Sequence, residues 1–306
     1  MHTLSQLIER FIKDMDDANM KPLGETHKYA LQAIMRRPIG QKIALNLKRG
    51  DWIEYAKERR RTVSPATVNQ DVTYIGGVLK YAGSAWSDCE DITAASIDAA
   101  RPFLVKHNLV GKSVPRKRRP SGDEETRLLN YFLEQDKGCD IKMAEVMAFA
   151  LVSTRRLGEI CRITWGDIDW EHKDNAGNPA PMYWVRDLKH PTKKKGNDKA
   201  FPLFEELAVI IRRQPRLRPD NPTERVFPFN SKSCSHRYTL AKHELGIEDL
   251  HFHDNRREAI SRWLKILPPH RVRHISGHET TLILERVYDG TNPDVLHQEV
   301  REKAAA

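Results

Sequence analysis

Leu151-Val-Ser-Thr-Arg-Arg-Leu-Gly-Glu-Ile160 and, about a hundred residues later, Leu250-His-Phe-His-Asp-Asn-Arg-Arg-Glu-Ala-Ile260 decide how this chain is read. The first sets Arg156 three residues ahead of Glu159, and the second sets His253 three residues ahead of Arg256. Ile275-Ser-Gly-His278 follows, and Tyr288 comes ten residues after that histidine. Lys189 joins the series from the end of the β-favouring run Met182-Tyr-Trp-Val-Arg-Asp-Leu188. The residue types share one chemistry. A guanidinium stays ionised and donates two parallel hydrogen bonds, so Arg156 and Arg256 suit the non-bridging oxygens of a phosphate. His253, with a near-neutral pKa, can accept a hydroxyl proton or hydrogen-bond the phosphate, and His278 can donate to it. A tyrosine with a pKa near 10 is a poor nucleophile unless basic groups surround it, as they would Tyr288. Glu159 lies one turn after Arg156 and can orient it as a supporting residue. Arg155 and Arg257 are adjacent to the two chosen arginines, so spacing alone leaves the register open by one residue.

These ordered boxes resemble those of the tyrosine recombinases, the phage integrase family, and the resemblance extends over essentially the whole chain. The segments are similar to phage integrases and to plasmid shufflon recombinases alike. Three departures stand out. Thr154 occupies the usual place of glycine, Asn255 that of leucine, and the interval from His278 to Tyr288 is one residue longer than the commonest one. The resemblance selects Arg156 and Arg256 over their neighbours. It implies that Tyr288 forms a 3′-phosphotyrosyl link, and that a lysine on the turn between two strands protonates the leaving 5′-oxygen. Lys189 is the first choice for that lysine, with Lys193, Lys194 and Lys195 as alternatives. The implied activity is site-specific DNA recombination of integrase, invertase or resolvase type, with no metal and no nucleotide cofactor. Implied partners are double-stranded DNA with inverted-repeat core sites, three further copies of the chain in a tetramer on DNA, and accessory DNA-bending or directionality proteins. Residues 292–303 form a tail that either docks on a neighbouring subunit or folds back on its own domain. Two other readings share the fold: a non-catalytic DNA-binding protein, and a DNA-relaxing enzyme similar to type IB topoisomerases.

Length and charge agree with a two-domain polyanion binder. A chain of 306 residues can bury two cores. Its 51 Lys+Arg against 42 Asp+Glu leave +9. Residues 111–120 concentrate that excess: Lys112, Arg116, Lys117, Arg118 and Arg119 occur there without an acid. Such a stripe suits phosphate contact. His251, His253 and His278 could supply three nitrogens to a metal, but no further carboxylate or cysteine stands at ligand spacing. The four cysteines, Cys89, Cys139, Cys161 and Cys234, form no Cys-x-x-Cys pair and are expected as reduced thiols in a cytoplasmic protein. No run approaches eighteen apolar residues, so no membrane span is expected.

The expected fold is mainly α, with an α+β second domain. Thr3 and Gln6 make a capping box for a helix lined by Leu4, Leu7, Ile8, Phe11 and Ile12. Ser64 and Pro65 open another, with Val68, Val72, Ile75, Leu79 and Ala82 at helical spacing. Leu31, Ile34 and Met35 mark a third helix, and 43–47 a short fourth. Tyr29, Tyr55, Tyr74 and Tyr81 read as packing residues. Residues 1–106 are therefore a helical bundle, which the resemblance makes the core-binding domain. The first helix starts at residue 4, so the N-terminal arm-binding domain of some phage integrases is not expected. Residues 107–120 read as a basic linker and 121–306 as the catalytic domain, opened by a Ser121–Glu124 cap. Its small antiparallel sheet is expected from the run 182–188, a polar turn over 193–199, and a return strand over 200–203.

Overall fold

In the computed structural model, the capping box expected at the N-terminus is formed: Thr3 Oγ1 accepts from the Gln6 amide at 3.2 Å, and Gln6 Oε1 accepts from the Thr3 amide at 2.9 Å. The structure describes residues 1–17, 19–139, 141–188, 196–288 and 301, with the backbone alone for 286–288. Its contacts divide the chain into Met1–Pro115 and Arg116–Ala306.

The first unit holds α1 (Leu4–Met15), α2 (Glu25–Met35), α3 (Arg49–Arg60), α4 (Pro65–Ala85) and α5 (Ala95–Lys106). Leu4, Leu7 and Ile8 of α1 and Val68, Val72 and Ile75 of α4 are fully buried, each removal from water contributing about 1.5–3 kcal/mol. The stretch 43–47 is only a 3-10 turn, Ala44–Asn46. Backbone bonds from Leu4 to Lys42 (2.9 Å) and from Ala44 to His2 (2.9 Å) hold this strip extended beside the N-terminus and stop a helix from starting there. The core also takes in one carboxylate. Asp71, on α4, accepts from Tyr55 Oη at 3.0 Å and from Arg59 Nε at 2.7 Å, the charge-assisted partner that makes its burial tolerable. Tyr74 stacks on His27 and Tyr81 packs edge-on against Phe11, whereas Tyr29 is largely exposed to solvent. Val110 is buried with this core and the Gly111 amide bonds Pro65 O at 3.2 Å, so the first part of the expected linker belongs to this unit.

The second unit is built around α7 (Met143–Ser153), where Met143, Ala144, Val146, Met147, Phe149, Ala150 and Leu151 are all buried. Around it lie α6 (Gly122–Gln135), the single turn α8 (Leu157–Ile160), α9 (Glu205–Arg212), α10 (Ser231–Glu244), α11 (Phe252–Ile266), α12 (Pro269–Ser276) and α13 (Leu282–Tyr288). Ser121 and Glu124 cap α6 as expected. α11 runs along α7, and Ile260, Val272 and Leu284 form a small cluster that pins α12 and α13 to α11. β1 (Ile168–Asp169), β2 (Met182–Val185) and β3 (Lys199–Pro202) form one antiparallel sheet in that order, with Tyr183 opposite Phe201. The strands are shorter than the sequence suggests. β2 stops at Val185 because Asp187 turns left-handed (φ +47°), its amide donating to Asp198 Oδ1 at 2.9 Å. The strand expected to run to Leu188 thus ends at Val185. Lys189, together with Lys193, Lys194 and Lys195, lies outside the described residues, as does the tail 292–303 apart from Arg301.

Cys89 is buried in the first unit, Cys161 and Cys234 in the second; Cys139 is partly exposed, and all four are free thiols. Among the described residues no helix is long and apolar enough to cross a membrane.

Candidate active site

Helix α7 ends where Thr154 adopts φ +58° and ψ +15°. A β-branched residue in the left-handed region is strained by about 1–3 kcal/mol, and the usual glycine at this place would not be. The strain is held by the site itself. Thr154 Oγ1 donates to Ile275 O at 3.1 Å, and Thr154 O accepts from Arg256 Nη1. Immediately after it the two neighbouring arginines part. Arg155 is wholly buried: Nε donates to Ser153 O at 3.1 Å, Nη2 to Thr154 Oγ1 at 3.0 Å and to Ile275 O, and its guanidinium lies 3.7 Å from the Phe201 ring centre. Arg156 caps α8 with its side chain 31% exposed, Nη1 donating to Glu159 Oε1 at 2.6 Å. Glu159 is buried and its other oxygen accepts from the Arg156 amide at 3.0 Å. Burial alone would raise the Glu159 pKa, but Arg155, Arg156 and Arg256 hold it below the usual carboxylate range, so it stays ionised. Arg155 is an internal strut, and Arg156 is the guanidinium open to solvent.

The first two turns of α11 supply the next groups. Asp254 Oδ2 accepts from the His251 amide at 2.8 Å and closes the helix start. Arg256 is buried, donating through Nη2 to Ser276 O at 3.0 Å and standing 3.5 Å from His278 Nε2. His278 Nδ1 meets Ser276 Oγ at 2.7 Å. Burial first, then Arg256, Arg156 and Arg155, pull the His278 pKa down to about 3. His253 is lowered as well, by desolvation and then by Arg256, Arg257 and Arg156 against Asp254; the residue is exposed, so water screens part of that effect. A histidine neutral at pH 7 keeps one donor and one acceptor nitrogen, the form that suits hydrogen bonding to a phosphate or a tyrosine hydroxyl.

Gly277, in the Ser-Gly-His step, is left-handed (φ +73°), and a Cβ there would meet Leu188 Cδ2 at 3.2 Å and Phe201 Cζ at 3.3 Å. Only glycine brings the β2–β3 arms this close to His278. An open groove of about 630 Å³, lined by Trp184, Lys199, Phe201, Arg273 and His278, lies on that side. Tyr288 is the last residue of α13, the helix anchored by buried Leu284; its side chain is outside the described atoms. The structure thus gathers Arg156, Glu159, Arg256, His253 and His278 from α8, α11 and the end of α12, while Lys189 stays outside the described residues.

Two further sequence readings meet the geometry. Asn255, in the usual place of leucine, is fully buried and accepts from Tyr238 Oη at 3.3 Å; its Nδ2 has no partner among the described residues. Tyr238 is thereby locked in the core, its hydroxyl pKa pushed up by burial. His251, His253 and His278 do not converge as a metal set. Among the described residues the group close enough to share an ion is His2, Asp88 and Cys89 of the first unit, where Arg10 already pairs with Asp88 at 2.9 Å.

The basic run faces acids of its own unit. Arg116 Nε and Nη2 bind Asp254 at 2.9–3.0 Å and Nη1 binds Asp249 at 2.6 Å. Arg118 pairs with Glu124, and Arg119 with Ser261 Oγ and Glu258 (3.6 Å). Lys112 and Lys117 are exposed and have no ion pair among the described residues. Adjacency in sequence carried no signal for this clamp, nor for Arg155, Ser276 or Asp254, whose partners lie twenty to 140 residues away.

A mainly helical unit with one small antiparallel sheet is the architecture of tyrosine-recombinase catalytic domains. The phage integrase family profile matches residues 120–293, more than half of the chain. The chain belongs to the phage integrase family. It is 26% identical over 294 residues to a shufflon-specific DNA recombinase of Escherichia coli, a match covering 93% of this chain and 68% of that protein. Among solved structures, the Tn1549 transposon integrase bound to a circular intermediate DNA matches with a TM-score of 0.69 at 14% identity, over 99% of this chain and 100% of that one. The lambda integrase tetramer bound to a Holliday junction matches with a TM-score of 0.66 at 15% identity, over 92% of this chain and 79% of that one.

Proposed function

We propose that this protein is a site-specific DNA recombinase that breaks and rejoins DNA strands through a 3′-phosphotyrosyl intermediate on Tyr288. The observation that carries this reading is the convergence of Arg156 with Arg256, His253 and His278, from two segments about a hundred residues apart, beside the helix that ends in Tyr288. Attack by the tyrosine oxygen concentrates negative charge on the non-bridging oxygens of five-coordinate phosphorus. The two guanidiniums stabilise that charge, the role a divalent ion has in other phosphoryl-transfer sites. Glu159 holds Arg156 in place. Neutral His253 accepts the tyrosine proton, and His278 donates a hydrogen bond to the phosphate. A lysine of the β2–β3 turn, Lys189 by first choice, gives its proton to the leaving 5′-oxygen. Because the phosphotyrosyl bond keeps the energy of the broken phosphodiester, rejoining needs no ATP and the scheme needs no metal.

On this reading Met1–Pro115 is the core-binding domain and Arg116–Ala306 the catalytic one, with Lys112 and Lys117 free to meet phosphates. The working form is a tetramer on inverted-repeat core sites; the resemblance of fold to the lambda integrase tetramer supports this. The protein would work in the cytoplasm, with accessory DNA-bending proteins setting direction. The test is a covalent trap. Wild-type protein selects a duplex from a random pool, and that duplex, nicked at successive positions, should capture the protein as an adduct whose phosphate maps to Tyr288. Tyr288→Phe should bind the same duplex and give no adduct. An adduct that persists in Tyr288→Phe, or maps elsewhere, overturns the assignment. Relaxation of plasmids lacking the selected sequence would favour the topoisomerase-like reading.

A further inference from the structure

We infer that Arg116 is a positioning residue for the reaction: a strap that runs from the interdomain connection onto α11 and sets the helix turn carrying His253 and Arg256. This rests on the reading of those two residues as catalytic. The geometry is specific. Arg116 is the first residue of the second unit, and its guanidinium is fully engaged on one side of Asp254, with contacts of 2.9–3.0 Å to both carboxylate oxygens. The Asp254 side chain is 1% exposed, and Asp254 directly follows His253 and stands two residues before Arg256. Its Oδ2 simultaneously accepts the His251 amide, so one buried carboxylate joins the strap to the helix cap. The strap is fastened further, by Arg116 Nη1 to Asp249 Oδ1 at 2.6 Å among other bonds. Arg257 Nη1 donates to Arg116 O, and Arg116 Nη2 donates to Asp249 O in the turn before α11. Arg119 continues along the same helix to Ser261 and Glu258.

Arg257 Nε also stands 3.4 Å from Asp254 Oδ1, but without a hydrogen bond, so Arg116 is the cation that binds both carboxylate oxygens. A buried carboxylate stripped of those hydrogen bonds is costly, and the helix turn would shift or admit water to satisfy it. A displacement of about 1 Å at a phosphate-clamping group can cost about a hundredfold in rate. The strap therefore acts on chemistry rather than on DNA affinity. This separates it from a phosphate contact, which would act on affinity and on its salt dependence.

The experiment measures adduct formation by the full-length protein on the nicked duplex at saturating protein, beside DNA affinity as a function of salt. Arg116→Met is expected to slow adduct formation at least about tenfold, leaving the dissociation constant and its salt slope unchanged. Arg116→Lys should recover part of the rate, because one cation still faces Asp254. Asp254→Asn should slow the reaction similarly, and Arg116→Met combined with Asp254→Asn should lose no more than either alone. A salt slope flattened by about 0.9 with the saturated rate intact would make Arg116 a phosphate contact and overturn the inference. A lower melting temperature with an unchanged rate for the folded protein would overturn it too. If Arg116→Met does not fold, the rate of Arg116→Lys decides on the same criteria. Arg256→Gln serves as the separate check: a wild-type rate there sinks the reading of the site, whereas a slow Arg256→Gln beside a fast Arg116→Met sinks only the strap.

Discussion

At the scale of single residues, the site shows which identities were legible and which were not. Arg156, His253, Arg256 and His278 were picked out as candidates by the order of their boxes and the resemblance of those boxes to the phage integrase family. Spacing within this chain left the register between Arg155 and Arg156 open and the resemblance chose Arg156; in the structure the Arg155 side chain stacks on Phe201 and that of Arg156 is 31% exposed. Thr154 in place of glycine makes sense only once its φ of +58° and its two hydrogen bonds are known. His278 leads to a prediction at this scale. Its pKa is near 6.5 in an unfolded chain and about 3 in the folded one. Above about pH 6.5 the ring is neutral in both states and its contribution to stability is fully present. As pH falls toward 3 the unfolded chain binds the proton first, and that stability is lost. The DNA-free protein should therefore melt at lower temperature at pH 5 than at pH 7, and His278→Gln should show a shallower decline. Equal slopes in thermal scans of the two proteins would remove His278 from the account.

At the scale of elements, capped and strongly periodic helices were legible. α1, α4 and α6 begin at Thr3, Ser64 and Ser121, where side-chain caps are formed. α3 gave almost no signal, because Trp52, Tyr55 and Ala56 are its buried positions among charged neighbours. The β2–β3 hairpin was seen but overextended, since the left-handed Asp187 and its bond to Asp198 end the ladder early. Two acidic partners of the basic stretch 116–119, Asp254 and Glu258, lie far along the chain and could not be read from its sequence, whereas Glu124, which pairs with Arg118, lies close by. The hairpin carries its own prediction. Lys189→Ala should slow cleavage of ordinary DNA by about a hundredfold or more, the typical worth of a general acid. A substrate whose 5′-bridging oxygen is replaced by sulfur has a leaving group that needs no proton, and should restore most of the rate. Rescue that instead follows substitution of Lys193, Lys194 or Lys195 moves the acid to that residue.

At the scale of the molecule, two hydrophobic cores with no shared residue back the division after Pro115, inside a stretch that reads in sequence as one linker. The placement of the thiols turns that division into something that can be timed. Cys89 is sealed in one core, while Cys161 and Cys234 lie side by side in the other, the Cys161 thiol pushed up by its hydrogen bond to Cys234 and by burial. A thiol reacts only as thiolate and only when reached by the reagent, so each buried cysteine reports the opening of its own unit. Brief alkylation pulses across a denaturant series should modify Cys139 at once. Cys89 should become reactive at one denaturant concentration, and Cys161 with Cys234 together at another. The chain thus carries a built-in pair of clocks, one for each half, readable by mass spectrometry without any added label.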